Sequence, residues 1–266
     1  QAKGFLIGAT SGRTTLNGEG LQHQDGHSHI LSSTIPNCLS YDPAFSYEVA
    51  VIIKDGIQKM YVDQENYFYY ITTTNENYQH PQMPVGSEDG IIKGMYKLIA
   101  SDKPVIRLLG SGSILRESIK AMDILKNYEI LAEVWSVTSF NLLRKNGMES
   151  ERYNQLNPDS EEKKSYVEEC FDSSPMPVVA STDYMRSYAE QIRPYIKEEF
   201  TVLGTDGFGR SDSRETLREF FEIDANSIVR ASAYSLYKNN KLDKTVLDKI
   251  YEEIGVDSSK INPWEA

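Results

Sequence analysis

The sequence predicts an α/β protein with a mostly parallel sheet, and three features of its 266 residues support this class. Short apolar blocks rich in β-branched and aromatic residues recur along the chain, as they do in buried strands. Between these blocks lie segments whose apolar residues recur at helical spacing. The hydrophobic fraction of 39% and the charged fraction of 25% are typical of globular domains. Strands that alternate with helices favour a parallel sheet covered on both faces.

The first α/β pattern lies within residues 1–80. Three strands are predicted there, at Gly4–Ala9, Asn37–Tyr41 and Tyr67–Ile71. Asp42-Pro43 follows the second strand and predicts the start of a helix, because aspartate caps helices and proline is tolerated in the first turn. The predicted order of elements in this part of the chain is therefore strand, loop, strand, helix and strand.

Between the two patterns, the segment from His80 to Ser87 holds two prolines and a glycine, a composition typical of a connection between domains. We predict a first domain at residues 1–80, a linker at 81–90 and a second domain at 91–266. His80 has no evident partner in the sequence pattern, so we expect its role to be structural.

The second α/β pattern begins after about residue 90. Its predicted strands are Val105–Gly110, Val134–Val137, Pro177–Ser181 and Phe200–Gly204. Ser113 is a plausible cap for the helix after the first of these strands. The chain is predicted to be largely helical from Ser211 to Ile254. The resulting order again favours a parallel sheet with helices on both faces.

Charge and cysteine content limit the classes of partner and compartment. The 28 Lys and Arg residues are outnumbered by 39 Asp and Glu residues, so the net charge is −11 and nucleic acid is not expected as a partner. The sequence has no run of eighteen apolar residues, so no membrane partner is expected. Cys38 and Cys170 lie far apart and match no disulfide or metal framework, which favours reduced, buried thiols in a cytoplasmic protein.

Three of the four histidines fall between Gly18 and His29, and this segment is the candidate functional site. Its glycines break regular structure, so His23, His27 and His29 are expected on a loop. Histidine exchanges protons near neutral pH, which suits it to catalysis. A polar loop at the end of a buried strand is also where open α/β sheets bind ligands.

Three interpretations of the histidine segment compete. A metal site could use His27 and His29 with His23, Glu19 or Asp25, but no second ligand pair occurs elsewhere. The residues could also be ordinary polar loop residues without chemistry. The interpretation we favour is that the histidines hydrogen-bond an anionic substrate or intermediate. No metal ligand is assigned.

Two glycine-containing segments resemble phosphate or metal loops. Gly110–Ser113 follows a predicted strand, but it lacks the third glycine of a dinucleotide fingerprint. Thr205–Ser213 contains Asp-Gly, as in magnesium–diphosphate elements, but Asn226 and Asn239 lie at unconvincing offsets. A tight turn explains the first segment, and a helix cap at Asp212 or Ser213 explains the second.

Several long strings are similar to the homodimeric bacterial-type pyruvate dehydrogenases, thiamine-diphosphate-dependent enzymes of the transketolase superfamily. These strings are Gly12–His23, Asp25–His29, Asn75–Tyr78, Leu108–Arg116, Ala180–Tyr184 and Leu203–Arg214. The similarity runs from one end of the chain to the other. It implies that residues 1–80 are the end of a pyrimidine-binding domain and that 91–266 are a transketolase-like C-terminal α/β/α domain. The earlier part of the family's subunit is missing, so the chain is expected to be a fragment.

The resemblance also implies an activity, namely oxidative decarboxylation of pyruvate with acetyl transfer to a lipoyl group. Thiamine diphosphate and Mg²⁺ would be bound mainly by residues absent from this chain, and no cofactor-binding residue is assigned within it. The implied partners are a second copy of the subunit and the dihydrolipoyl acetyltransferase core, the latter through the missing N-terminal part. The isolated chain could instead be a non-catalytic structural and dimerisation module. A ketose or another keto acid is a weaker alternative substrate.

His23 takes its implied role from the related transketolases, in which a Gly-Pro-Thr-His loop lends its histidine to substrate and intermediate. Gly20–His23 matches that loop but lacks its proline and threonine, which favours the pyruvate enzyme over transketolase. His23 is therefore the candidate catalytic residue. Asp25, His27 and His29 are expected to bind substrate or to support the shape of the loop.

Overall fold

The computed structural model describes residues 2–8, 11–172 and 175–266, and within these ranges eight strands form two sheets. The first sheet has the order β1-β3-β2 with all strands parallel. The second has the order β4-β6-β5-β7-β8, in which only the edge strand β4 is antiparallel to its neighbour. The strands are β1 (Phe5–Gly8), β2 (Cys38–Tyr41), β3 (Phe68–Thr72), β4 (Met95–Ile99), β5 (Ile106–Gly110), β6 (Ala132–Val137), β7 (Val178–Ser181) and β8 (Phe200–Leu203).

Ten α-helices connect or follow these strands in the described ranges. They are α1 (Ser28–Ser32), α2 (Ser46–Ile57), α3 (Glu88–Lys93), α4 (Leu115–Lys126), α5 (Phe140–Leu156), α6 (Tyr166–Phe171), α7 (Arg186–Glu190), α8 (Arg214–Phe220), α9 (Ala225–Lys238) and α10 (Lys244–Glu253). None of the helices described here is long and apolar enough to cross a membrane.

Helices cover both faces of the second sheet, because successive residues of its strands point to opposite sides. Leu108 of β5 packs in a core with α4, α9 and α10. Its neighbour Leu109 packs in a second core with α5, α6 and α7. The α/β class with mostly parallel sheets is therefore confirmed.

The first sheet and the edge of the second sheet share a core. Ile52 of α2 and Ile71 of β3 pack in one cluster with Ile91 of α3 and Tyr96 of β4. Buried Glu48 of α2 crosses the same boundary, because its Oε1 accepts hydrogen bonds from Tyr96 Oη at 2.7 Å and from Ser136 Oγ at 2.6 Å. Because α2 packs on the first sheet while Tyr96 and Ser136 belong to β4 and β6, this buried carboxyl group fixes α2 against the second sheet.

Several local expectations differ from the structure. Strand β4 was not predicted, and Ala9 at the end of the first predicted strand lies outside the described residues. Phe45, not Asp42, is the N-cap residue of α2, since the Asp42 side chain is used elsewhere. His80 does have a partner, because its Nδ1 accepts a hydrogen bond from the Ser46 amide at 3.1 Å.

Two further caps were predicted with opposite outcomes. Ser113 does not cap α4, because its hydroxyl donates to Asp183. Ser213 does cap α8, because its side chain accepts a hydrogen bond from the Thr216 amide. The two thiols are free but only partly buried, and burial raises the pKa of Cys38 to about 11.

Candidate functional site

His23, His27 and His29 lie where the carboxyl ends of the parallel strands of the two sheets meet. We call residues 11–29, which follow β1, the histidine loop. The Ser11 amide donates to Thr73 O at the end of β3, and the Arg13 amide donates to Asp183 O after β7. Residues 11–16 have no regular structure and yet are buried, because they fill the space between the sheets. This is the edge of an α/β sheet at which ligands bind.

His23 ends a 3₁₀ turn, Leu21–His23, on the outer side of the histidine loop. Its side chain is 55% exposed, and its Nε2 lies 3.6 Å from Glu19 Oε2. The imidazole is thus available to a molecule that approaches from solvent.

Asp25 shapes the loop after His23. Its Oδ1 accepts hydrogen bonds from the backbone amides of His27 at 3.0 Å and Ser28 at 2.9 Å, and its Oδ2 accepts from the Ser28 hydroxyl. These bonds satisfy amides at the start of α1 that have no partner within the helix. The carboxylate of Asp25 is therefore used within the loop.

His27 is exposed and lies beside a buried arginine. Its Nε2 is 3.4 Å from Arg13 Nη2, and Arg13 Nη1 donates to the carbonyl of Gly207. Burial lowers the pKa of Arg13, although Asp206, Asp183 and Asp25 oppose that shift. Arg13 thus connects the histidine loop to the segment that follows β8.

His29 is completely buried among aromatic rings. It stacks on Tyr188 with centroids 4.8 Å apart and meets Tyr184 edge-on at 4.7 Å. Burial lowers the pKa of His29 to about 3, so the ring is neutral at physiological pH. Its Nε2 lies 3.0 Å from Thr72 Oγ1, and the position of the ring is that of a packing and hydrogen-bonding residue inside the protein.

A chain of buried hydrogen bonds continues from His29 across the two sheets. Thr72 Oγ1 donates to Asp42 Oδ1 at 2.7 Å, and Ser111 Oγ donates to Asp42 Oδ2 at 2.9 Å. Burial raises the pKa of Asp42 to about 7, against the effect of these two hydroxyl donors. Thr72 has a single hydroxyl proton, and when Asp42 is ionised this proton is used in the hydrogen bond to Asp42. Thr72 Oγ1 can then only accept from His29, so His29 Nε2 carries the proton and is the donor.

A second buried carboxyl group holds the start of the histidine loop. Asp183 Oδ2 accepts hydrogen bonds from the Thr14 amide and from Ser113 Oγ, each at 3.2 Å. Gly12 adopts a φ of +76° against this carboxyl, and a Cβ there would lie 2.2 Å from Asp183 Oδ2. Burial raises the pKa of Asp183 to about 6. Only glycine fits at position 12 without displacing Asp183.

The segment 205–214, which we call the bracing loop, lies against the histidine loop. Gly18 N donates to Asp212 O at 3.0 Å, and Arg214 Nε donates to Thr15 O at 2.7 Å. Asp206 pairs with Arg186, with 3.1 Å between Oδ2 and Nε. The polar residues of Thr205–Ser213 are thus engaged in packing contacts and a helix cap.

The described residues show no converging set of side-chain ligands for Mg²⁺. Within residues 2–8, 11–172 and 175–266, no three His, Cys, Asp or Glu side chains are grouped as metal ligands. Asp206 faces a cation and Asp212 bonds to the amide of Ser213, so neither carboxylate is directed at a common point. A magnesium site needs oxygen ligands that converge, which this arrangement lacks.

Sequence reasoning singled out the histidine loop as the candidate site but did not identify the groups that hold it in place. Asp42, Asp183 and the bracing loop each follow a predicted strand at its carboxyl end. That position was the available signal, since carboxyl ends of parallel strands share one edge of a sheet. The partners of these groups are distant in sequence, and their pairing could not be predicted.

The two sheets and the loops at their carboxyl ends define a transketolase-like α/β protein. A solved transketolase mutant from Pichia stipitis superposes with a TM-score of 0.67 over 90% of this chain and 31% of its own, at 19% identity. The transketolase from Campylobacter jejuni gives a TM-score of 0.65 over 85% of this chain and 30% of its own, at 18% identity. A split-gene transketolase described as an inactive beta4 tetramer gives 0.54 at 14% identity, over 88% of this chain and 66% of its own. At these identities the likeness shows the fold alone.

Sequence comparison identifies the family. Residues 1–81 match the pyruvate dehydrogenase E1 component middle domain, and residues 94–224 match the transketolase-like C-terminal domain. The chain is 54% identical to the pyruvate dehydrogenase E1 component of Pseudomonas aeruginosa, over all of this chain and 31% of that protein. It is also 54% identical to that of Escherichia coli K12, over 99% of this chain and 30% of that protein. The chain belongs to the pyruvate dehydrogenase E1 component family and spans about 30% of the length of these curated relatives.

Proposed function

We propose that this chain supplies the histidine-bearing wall of a pyruvate dehydrogenase active site. The activity is the oxidative decarboxylation of pyruvate with acetyl transfer to the lipoyl group of dihydrolipoyl acetyltransferase. Homology along the whole chain supports the family activity. The exposed imidazole of His23, in the loop at the carboxyl ends of the sheets, is the observation that carries the proposal for this chain.

The role proposed for His23 is hydrogen-bond donation to negative charge on the substrate. Pyruvate carries a carboxylate, and addition to its keto group develops an alkoxide. An imidazole N–H directed at either group orients the substrate and stabilises that charge. Loss of one such donor typically raises the barrier by about 3 kcal/mol.

The family implies thiamine diphosphate and Mg²⁺ in the complete enzyme. When bound, thiamine diphosphate supplies an electron sink for the decarboxylation. Since the described residues do not converge as Mg²⁺ ligands, we assign diphosphate and metal binding to the remainder of the complete protein. Asp25 and His29 support the histidine loop, and His27 adjoins Arg13 at its surface.

The test is His23→Ala in an enzyme with its cofactor site. Residues 1–266 would replace the matching segment of the Pseudomonas aeruginosa relative. We expect acetyl-transfer turnover to fall at least tenfold while thiamine diphosphate affinity changes little. Gln22→Ala is the matched control, because Gln22 is an exposed residue of the same 3₁₀ turn. Unchanged turnover in His23→Ala would remove this residue from the chemistry.

A second candidate function concerns the chain by itself, as a non-catalytic structural and dimerisation module. The lack of converging Mg²⁺ ligands in the described residues favours it. We expect calorimetric titration of the 266-residue chain with thiamine diphosphate and Mg²⁺ to give no measurable binding. Micromolar affinity would overturn this proposal without touching the first.

The partners proposed for the complete enzyme are a second subunit and the dihydrolipoyl acetyltransferase core. The net charge of −11 disfavours nucleic acid as a partner. We place the enzyme in the cytoplasm. The departure of Gly20–His23 from the transketolase loop favours pyruvate over a ketose or another keto acid as substrate.

A further inference from the structure

The side chain of Gln24, which immediately follows His23, forms two hydrogen bonds with the backbone of Arg210. The Arg210 amide donates to Gln24 Oε1 at 2.8 Å, and Gln24 Nε2 donates to Arg210 O at 2.5 Å. A carboxamide is matched to this pair because it carries a donor and an acceptor side by side. The contact spans 186 residues and joins the histidine loop to the bracing loop.

The bracing loop is shaped to admit this side chain. A Cβ at Gly209 would lie 2.4 Å from Gln24 Oε1 and 3.2 Å from Gln24 Cβ, so any other residue would displace Gln24. Glycine at position 209 is thus explained by the approach of Gln24. The contact can therefore be disrupted by a substitution either at Gln24 or at Gly209.

The turn that carries His23 has little support of its own. It is a single 3₁₀ turn, and its backbone hydrogen bonds are long, at 3.3 Å from His23 N to Gly20 O and 3.5 Å from Gln24 N to Leu21 O. A short 3₁₀ segment has poor hydrogen-bond geometry and needs support from outside itself. Gln24 supplies that support one residue from the imidazole.

The bracing loop is itself held in place, so it can act as a fixed support. Arg13 Nη1 donates to the carbonyl of Gly207, and Arg210 Nη2 donates to the carbonyl of Ala266. The Asn17 side chain accepts a hydrogen bond from the Arg214 amide at 2.9 Å. Contacts on both sides of Gly209 and Arg210 fix the backbone to which Gln24 binds.

We propose that Gln24 is a positioning residue, which clamps the 3₁₀ turn to the bracing loop and thereby holds the His23 imidazole in its working position. This inference rests on the role proposed above for His23. Gln24 itself touches no substrate. It acts through the backbone of the residue before it.

The first test measures the clamp without any catalytic step, by hydrogen–deuterium exchange of the 266-residue chain. In Gln24→Ala and in Gly209→Ala we expect amides in both segments, 20–24 and 209–212, to exchange at least fivefold faster. Gln22→Ala is the matched control, since within the part of the chain that the structure describes Gln22 makes no side-chain hydrogen bond. Its exchange should stay within twofold of the parent. Unchanged exchange in both clamp variants would overturn the proposal.

The second test asks whether Gln24 acts through His23, by a double-mutant cycle in the chimeric enzyme. We expect Gln24→Ala to lower turnover at least fivefold when His23 is present and less than twofold when His23→Ala is already in place, because residues that act as a unit are not additive. Gly209→Ala should reproduce this pattern. Equal losses in both backgrounds would show a merely structural role and contradict the proposal.

The two proposals fail in distinguishable ways. If His23→Ala leaves turnover unchanged, the proposed catalytic role of His23 is wrong, and the Gln24 contact then has no proposed effect on catalysis. The exchange experiment then still reports whether Gln24 holds the turn. If His23→Ala lowers turnover but Gln24→Ala does not, only the positioning role is wrong.

Discussion

The carboxyl group of Asp183 accepts a hydrogen bond from the backbone amide of Thr14, although 169 residues separate them in the sequence. Asp183 follows a strand of the second sheet, and Thr14 belongs to the histidine loop that follows the first. The candidate site is therefore held by groups from both sheets, and stability measurements can test each connection.

Removal of the Asp183 carboxyl should destabilise the protein. Asp183→Ala leaves the Thr14 amide and the Ser113 hydroxyl buried without their acceptor, and we expect a loss of about 2–4 kcal/mol in the free energy of unfolding. Urea denaturation measures this loss. Asp159→Ala, at an exposed turn, is the control and should change the free energy by less than about 0.5 kcal/mol. A loss no larger than that of the control would contradict the assignment.

Asp42 should make stability decrease with rising pH in a defined window. Its pKa is about 7 in the folded protein and close to 3.8 when unfolded, so between these values the folded state binds more protons. The stabilisation is fully present below about pH 4 and is lost as the pH rises through 7, by at most about 1.4 kcal/mol per pH unit.

The comparison of the parent chain with Asp42→Asn tests this contribution. Between pH 4 and 7, the free energy of unfolding of the parent should fall relative to that of the variant, which cannot ionise at this position. Asp183, with a pKa of about 6, remains in both proteins, and because its charge helps to raise the pKa of Asp42, the difference reports Asp42 together with its coupling to Asp183. Parallel pH profiles of the two proteins would show that Asp42 does not titrate as described.

His29 should remain neutral throughout the physiological range. Since burial lowers its pKa to about 3, its ring should not become doubly protonated between pH 8 and pH 5. At pH 8, where Asp42 is ionised, the protonated nitrogen should be Nε2, the atom that faces Thr72. The His29→Gln variant identifies the resonances by their loss. Conversion of both ring nitrogens to the protonated imidazolium form near pH 6.5 would mean that the ring reaches solvent.

Glu48 should stabilise the attachment of α2 to the second sheet. Glu48→Ala leaves the buried hydroxyls of Tyr96 and Ser136 and the amides of Ala44 and Phe45 without their acceptor. We expect a loss of at least about 3 kcal/mol in urea denaturation, since each such group costs about 1–3 kcal/mol. Exposed Glu65, replaced by alanine, is the control. If both variants lose the same small amount of stability, Glu48 does not hold α2 to the second sheet.

The sequence was sufficient for the parallel strands, because their apolar blocks are driven by burial on both faces. It was not sufficient for β4, an edge strand in which Lys97 interrupts the apolar pattern and whose antiparallel pairing breaks the alternation of strand and helix. Edge strands carry polar residues because one of their sides meets solvent.

Caps and site contacts were harder to predict for a related reason. Asp42 precedes a proline and a helix, which is the local pattern of a cap, but its carboxyl accepts a hydrogen bond from Ser111, which follows a strand of the other sheet. Likewise, the local sequence shows Gln24 only as a polar neighbour of His23, and nothing near it indicates Arg210. The local sequence shows which residues are polar, but the role of each one depends on a hydrogen-bond partner that is distant in the sequence.

The buried, irregular stretch at residues 11–16 has a consequence for protein engineering. The backbone of this stretch is held by hydrogen bonds with residues that are distant in the sequence, such as Asp183 and Arg214. The stretch is therefore not expected to keep its conformation when it is transplanted alone. A designer who moves the histidines into a different scaffold must transfer Asp183 and residues 205–214 with them. A homologue that differs either in residues 11–16 or in these partner residues should be a poor source of a grafted histidine loop unless both parts are transferred together.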